Sequence, residues 1–144
     1  MAKGGNGKNP LSFDPDRTFD VELKHPRTGD LIRGPDGRVA TITIAGPDSA
    51  EAHEFERQLA SRRLDDVWKR GKRRTPDPDD RARENAEMLC AITKRWYIPS
   101  LNGAAGEFAF TRENALDLYT DRGSAWARRL VEEAFNDASN FFGD

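Results

Sequence analysis

The chain has 144 residues, of which 36% are hydrophobic and 33% are charged, so we expect one polar, soluble domain with a modest core. Its formal net charge of −2 argues against a dedicated nucleic-acid-binding protein, because phosphate contacts usually need an excess of Lys and Arg. The single cysteine, Cys90, cannot form an internal disulfide, and its apolar helical surroundings predict a buried thiol in a reducing cytoplasm rather than a nucleophile.

The N-terminal region is predicted to be a disordered tail without a targeting signal. Residues 1–5 lack the apolar segment of a secretory signal peptide, and no run reaches the length of a membrane span, so we expect no membrane association. Residues 1–17 are rich in Gly, Asn, Pro and Asp without periodicity, which is typical of disorder. Residues 18–144 are expected to form a single domain.

Residues 18–46 are predicted to form the β part of this domain. The segment 18–25 alternates between apolar and polar residues, and its apolar face consists of Phe19, Val21 and Leu23. The segment 38–45 alternates in the same way, with one face formed by Ala40, Ile42 and Ile44. Turns rich in Pro and Gly lie between them, so we predict an antiparallel pair, with residues 31–33 as a candidate for a short extra strand.

A first helix is predicted within residues 47–71. Asp48 or Ser49 can cap its start, and Gly71 marks its end. Its apolar stripe consists of Ala52, Phe55, Leu59, Ala60, Leu64, Val67 and Trp68, with Arg63 as a charged interruption. Residues 72–79 are expected to form a charged, solvated linker.

Residues 80–144 are predicted to form the helical part. Asp77 can cap the second helix, with Pro78 at its first position, and the helical stripe continues to Tyr97. A loop with one short strand at 108–110 is expected next. Thr111 and Ser124 are predicted caps of the last two helices, and the final stripe is Ala127, Leu130, Val131, Ala134, Phe135, Ala138 and Phe141. The predicted fold class is therefore α+β and mostly helical, with an N-terminal β-hairpin or small antiparallel sheet followed by about four helices.

The polar residues do not form a pattern that is typical of catalysis. His25 and His53 lie far apart in the sequence, with no Cys or acidic residue at metal-ligand spacing. The acidic residues lie on polar helix faces or in loops, where carboxylates are solvated. The segment 103–106 lacks the Lys and Ser or Thr of a phosphate-binding loop. We therefore predict no enzyme activity, no cofactor and no metal.

Aromatic residues near the C-terminus are the candidates for partner contact, because exposed aromatic side chains are common anchors of interfaces. Trp126 falls off the apolar stripe of the last helix, and Phe142 lies about 100° around the helix from Phe141. We expect one of these two rings to seal the core and the other to point outward. The predicted partner-binding residues are Trp126, Phe135, Phe141 and Phe142.

A series of short motifs carries a family resemblance. The motifs are Phe19-Asp20-Val21-Glu22-Leu23, Thr41-Ile42-Thr43-Ile44, Gly46-Pro47-Asp48-Ser49-Ala50-Glu51, a helix exit at Trp96 with a small-residue link to Phe108, Thr111-Arg112-Glu113-Asn114-Ala115, and Asn140-Phe141-Phe142-Gly143. In this order, over residues 18–143, they resemble the tail assembly chaperones of long-tailed phages. Residues 69–80 match nothing in that family.

The resemblance implies an assembly factor rather than an enzyme. Members of that family are small, mostly helical proteins that are thought to coat the tape measure protein, keep it soluble, and leave as the tail tube polymerises. It therefore implies two partners, the tape measure protein and the major tail tube protein, in the host cell cytoplasm. A coat also leads us to expect a weak homo-oligomer, with strands at 19–23 and 39–44 as exposed edges for a neighbouring sheet.

Two other functions stay open at the level of the sequence. The first is a structural virion protein, such as a head–tail connector or tail-terminator subunit. The second is a DNA-binding regulator that uses residues 62–74. Five of the six residues at 69–74 are Lys or Arg. However, cations also suit a helix C-terminus, and the acidic residues at 77–80 would repel phosphate, so nucleic acid is not the expected partner.

Overall fold

Three strands and four α-helices make up the part of the chain that the computed structural model describes, which comprises residues 14–71, 77–99 and 106–141. In chain order they are β1 (Thr18–Glu22), β2 (Thr41–Ala45), α1 (Ala50–Arg70), α2 (Pro78–Ile92), β3 (Thr93–Tyr97), α3 (Arg112–Thr120) and α4 (Ala125–Asn136). Two short 3₁₀ turns, Arg122–Ser124 and Ala138–Phe141, flank α4. The predicted α+β class, with a small antiparallel sheet and four helices, is confirmed.

The strands form one antiparallel sheet in the order β1-β2-β3. Ile42 lies opposite Val21 on one side and opposite Trp96 on the other, so β2 is the central strand. The prediction that residues 39–44 form an exposed edge is therefore wrong, whereas β1 is an edge of this sheet. The central position also buries the polar residue Thr43, whose hydroxyl donates a hydrogen bond to Asp20 Oδ1 (2.6 Å).

The strand β3 is the largest departure from the predicted elements. The second helix was expected to continue to Tyr97, but it ends at Ile92, and the next residues pair with β2. Thr93 makes the change of direction: its backbone N–H and its hydroxyl both donate to Leu89 O. Residues 92–98 contain two isoleucines, one threonine and two aromatic residues, which fit a strand as well as a helical stripe. The pairing with a strand about 50 positions earlier decides between them.

The connection between β1 and β2 adds backbone pairing beyond the two strands. Leu23 N donates to Ala40 O (2.9 Å), and Ala40 N donates to Ile32 O (2.8 Å). Residues 31 and 33 form isolated bridges with Lys24 and Val39, rather than the extra strand that was considered. The second strand accordingly begins at Thr41 and not at residue 38.

Local capping chemistry places three helix starts as predicted. Ser49 Oγ accepts from Ala52 N (3.2 Å), and Thr111 Oγ1 accepts from Asn114 N (3.0 Å). Asp77 forms a capping box with Asp80, so α2 begins at Pro78, two residues before the boundary expected at residue 80.

Ser124 does not cap α4, which corrects the prediction. Its hydroxyl donates instead to Leu118 O (2.6 Å), tying the end of α3 to the start of α4. Asp121 accepts from Gly123 N (3.0 Å) and stabilises the 3₁₀ turn between them. Because this turn supplies α4 with a preceding helical turn, a side-chain cap at Ser124 is not needed.

The hydrophobic core lies between the sheet and the later helices. α4 packs on β1 and β2, and α3 packs on α2 and on α4. The final helix was expected to run to the C-terminus, but it ends at Asn136, and the 3₁₀ turn carries Phe141 back to β1. There the Phe141 ring meets Phe19 edge-on (6.4 Å, 67°) and is only 2% exposed. The C-terminal turn thus closes one end of the core.

Most of the predicted tail and part of the predicted linker lie outside the described residues. Residues 14–17 form a turn in which Arg17 N donates to Asp14 O (3.2 Å). Residues 1–13, 72–76, 100–105 and 142–144 lie outside the description, and so does Phe142. Among the helices that the structure describes, none combines the length and the apolar character needed to cross a bilayer.

Candidate binding surfaces

An open groove of about 550 Å³ lies among α1, α2 and the end of α4. Its apolar floor comes from all three helices and consists of Phe55, Leu59, Met88, Leu89 and Phe135. Its rim is polar and carries Arg63, Glu84, Asn85, Glu132 and Asn136. An apolar floor inside a polar rim is the general architecture of sites that bind apolar side chains.

One wall of the groove is α1, which is buried at its start and joined to α2 by ion pairs further along. At the start of α1, Ala52 is 1% exposed and Phe55 is 8% exposed, so this end is anchored in the protein. Further along, two ion pairs join the helices, Arg62 with Glu87 (3.3 Å) and Arg63 with Glu84 (2.9 Å). Exposed pairs of this kind contribute about 0–1 kcal/mol each. They therefore add little to the packing of α1 on α2.

Each carboxylate of the rim has a basic partner. Arg63 and Glu84 form an ion pair across the α1–α2 side of the groove. On the α4 side, Glu132 forms an ion pair with Arg128 of the same helix (3.8 Å). The rim is therefore polar, with its charges balanced by neighbouring side chains.

The four predicted partner-binding residues have different positions. Phe135 lines the groove and is half-buried, as a contact residue should be. Trp126, also half-buried, lies in the first turn of α4 and packs against the core. Phe141 is buried and is the ring that seals the core, so the isolated chain does not expose it to a partner, and its role in partner binding stays a prediction. Phe142 lies outside the described residues. The structure thus places one of the four in the groove.

Sequence reasoning missed most of the groove floor. Phe55 and Leu59 were assigned to the apolar stripe of the first helix, without a role in binding. Met88 was not singled out, although it falls between the predicted core positions of the second helix. One sequence feature could have indicated the groove. The apolar stripe of α1 is too broad for one buried face, and Arg63 interrupts it.

Three aromatic rings pack together at the end of β3. Trp96 stacks on Phe108 (centroids 5.5 Å apart, planes at 11°) and meets Phe110 edge-on (5.0 Å). Trp96 Nε1 donates to Phe108 O (2.8 Å), and Phe108 N donates to Ile98 O (2.9 Å). Residues 108–110 therefore lie beside the end of β3 but do not form the predicted strand. Because the three rings pack against one another, this cluster holds residues 108–110 against the end of β3.

The exposed half of α1 carries a second apolar surface, which we call the outer face. It consists of Ala60, Leu64 and Trp68, spaced four residues apart on one side of the helix. Leu64 is 58% exposed and Trp68 is 79% exposed. At 100° per residue, this face lies opposite the side that carries Phe55 and faces α2. The predicted single stripe of α1 is thus divided between two faces.

Two titratable groups beside the core, Cys90 and Tyr119, have raised pKa values. Burial raises the pKa of Cys90 to about 11, against a smaller lowering effect of Arg112, so the thiol is protonated at neutral pH. Burial likewise raises the pKa of Tyr119, whose hydroxyl is hydrogen-bonded to Thr93 Oγ1 (2.8 Å). Over residues 14–71, 77–99 and 106–141, no group of three or more His, Cys, Asp or Glu side chains is placed to hold a metal ion.

No protein-family model, curated protein or solved structure matches the chain. The resemblance to tail assembly chaperones is therefore a prediction that rests on the sequence motifs alone.

Proposed function

We propose that this protein is a phage tail assembly chaperone that holds apolar helical segments of the tape measure protein in the groove among α1, α2 and α4. It would act in the host cell cytoplasm and give up its client as the major tail tube protein assembles. The observation that supports this proposal is the groove itself, with its apolar floor and its polar rim. An amphipathic helix that lays its apolar face into such a groove is a common mode of recognition.

The size of the groove fits weak, reversible binding. A groove of about 550 Å³ has room for a few apolar side chains of a client. Burying each of them contributes about 1.5–3 kcal/mol. Association itself costs roughly 4–15 kcal/mol, so one groove alone binds weakly. Many copies bound along one long client would gain avidity, while each contact stays easy to release.

Co-expression with the cognate tape measure protein tests the proposal. We expect this chain to keep the tape measure protein soluble and to co-purify with it. If the tape measure protein stays insoluble in the presence of this chain, the proposal is wrong.

Two matched substitutions on α1 test the role of the groove. Leu59→Gln changes the groove floor, whereas Leu64→Gln makes the same change on the outer face of the same helix. We expect only Leu59→Gln to reduce the recovery of soluble client, with thermal melts showing that both variants stay folded. Equal losses in both variants would show that the groove is not the binding site.

Mass spectrometry of purified particles separates this function from the structural alternative. A chaperone should be absent from mature virions or present only in traces. Recovery of this chain at the stoichiometry of a tail component would favour a connector or terminator subunit instead.

A further inference from the structure

The charged side chains at the rim of the groove are paired within the chain. Glu84 on α2 accepts a hydrogen bond from the Arg63 guanidinium on α1 (2.9 Å). Glu132 on α4 forms an ion pair with Arg128, one turn earlier on the same helix (3.8 Å). These four side chains are between 26% and 51% exposed, so an occupant of the groove can reach them. It meets carboxylates that already have a cation beside them.

The uncharged polar side chains at the rim have no such partner. Asn85 lies on α2, Asn136 is the last residue of α4, and both are exposed. Within residues 14–71, 77–99 and 106–141, neither side-chain amide forms a hydrogen bond. An amide both donates and accepts hydrogen bonds. The rim therefore offers an occupant two open hydrogen-bonding groups but no unpaired charge.

This distribution disfavours charge of either sign on an occupant. A Lys side chain that approaches Glu84 also comes beside the Arg63 guanidinium, so attraction and repulsion largely cancel. A carboxylate that approaches Arg63 meets Glu84 in the same way. Either ion loses water when it is covered at the rim, and no new ion pair compensates for that loss. An uncharged residue such as Gln or Ser loses less on desolvation and can bond to a rim amide.

We propose that the groove takes amphipathic helices whose apolar stripe is flanked by uncharged polar residues, and that Arg63 is the residue that excludes basic helices. The proposal states the chemistry of the client segment, and it rests on the proposed function for the identity of the client. Rejection of wrong partners by a like charge is a common source of specificity. Because the rim contributes no unpaired charge, the binding of such a helix should be insensitive to ionic strength.

Three synthetic helical peptides test this preference. Each has roughly 18 residues and the same stripe of leucines, and the positions on both sides of the stripe are all Gln, all Lys or all Glu. These three residues have similar helix propensities, so the comparison isolates charge. Fluorescence anisotropy of the labelled peptide, titrated with the full chain, measures each affinity. We expect the Gln peptide to bind roughly threefold to tenfold tighter than the other two, with less than about a twofold change between about 50 mM and about 500 mM NaCl.

Two neighbouring arginines on α1 provide a matched pair of variants. Arg63→Gln leaves Glu84 without a cation, so the Lys peptide should bind roughly threefold to tenfold tighter to this variant, and the Glu peptide should not. Arg62→Gln removes the same charge one residue away, but its partner Glu87 keeps Arg83 (3.7 Å) and does not line the groove. This control should leave all three affinities unchanged. Both arginines are more than half exposed, so thermal melts should stay close to that of the parent chain.

Leu59→Gln shows whether the peptides occupy the groove, because a change on the groove floor should weaken all three. Tighter binding of the Lys or Glu peptide than of the Gln peptide to the parent chain would overturn the proposal and leave the groove as a binding site. Equal effects of Arg63→Gln and Arg62→Gln on the Lys peptide would do the same. If no peptide binds, or if Leu59→Gln changes nothing, the groove is not the site and both proposals are wrong. An insoluble tape measure protein, together with preferential binding of the Gln peptide, would refute the proposed function alone.

Discussion

The contact between Gly46 and Phe141 gives the sharpest test of how the C-terminal turn holds the core. Gly46 has no positive φ, so its backbone accepts any residue. A Cβ at this position would lie 2.7 Å from Cγ of the Phe141 ring. Ordinary Gly→Ala changes at compatible positions stabilise a protein by about 0.4–1 kcal/mol. Here the steric conflict should reverse the sign, and we expect Gly46→Ala to destabilise by about 1–3 kcal/mol.

The second arm of this test removes the ring. Phe141 is 2% exposed, so Phe141→Ala should destabilise by about 3–5 kcal/mol, a large share of the roughly 5–15 kcal/mol available to a domain. Without the ring, the added methyl group at residue 46 loses its two closest contacts and keeps only the one with Cβ of residue 141, at 3.2 Å. In the Phe141→Ala background, Gly46→Ala should therefore lose most of its cost and become close to neutral.

Urea denaturation of the parent chain, both single variants and the double variant measures this cycle. The expected coupling between the two sites is at least about 1 kcal/mol, well above the roughly 0.3–0.5 kcal/mol scatter of independent sites. Additive effects of the two substitutions would refute the reasoning, and so would a stabilising effect of Gly46→Ala alone. Either result would mean that the Phe141 ring does not pack on the end of β2.

Three further predictions concern individual residues. Tyr119→Phe leaves Thr93 its hydrogen bond to Leu89 O, so it should lower the free energy of unfolding by only about 1 kcal/mol. Thr93→Val leaves the buried Tyr119 hydroxyl without a partner and should cost about 2–3 kcal/mol. Thermal melts measure both variants, and the reverse order of the two losses would contradict these hydrogen bonds. The raised pKa of Cys90, about 11, should slow its alkylation by iodoacetamide at pH 8 by about a hundredfold relative to the chain unfolded in urea. The alkylation rate of the folded chain should still rise above pH 9. Equal rates in the folded and unfolded chains would show that the thiolate is accessible. Phe142→Ala should cost less than about 1 kcal/mol in folding while it weakens client capture, and a loss of stability as large as that of Phe141→Ala would place both rings in the core.

Local chemistry allowed several features to be predicted from the sequence. Ser49, Asp77 with Pro78, and Thr111 start helices because a side-chain oxygen within the same few residues accepts from the first turn. Gly71 ends α1 because its φ of 75° suits glycine. None of these contacts depends on a distant part of the chain, so residue order alone was sufficient to determine them.

The features that the sequence did not reveal depend on partners far along the chain. Residues 93–97 form a strand rather than the end of a helix because β2 offers them a hydrogen-bonded edge. Phe135 lines the groove because α1, α2 and α4 meet there. Phe141 lies outside the groove because the last 3₁₀ turn folds back on β1. A pattern of apolar residues states which side chains avoid water. Whether each one is covered by the core, lines a groove or stays exposed, as Trp68 does, is decided only when the distant elements pack.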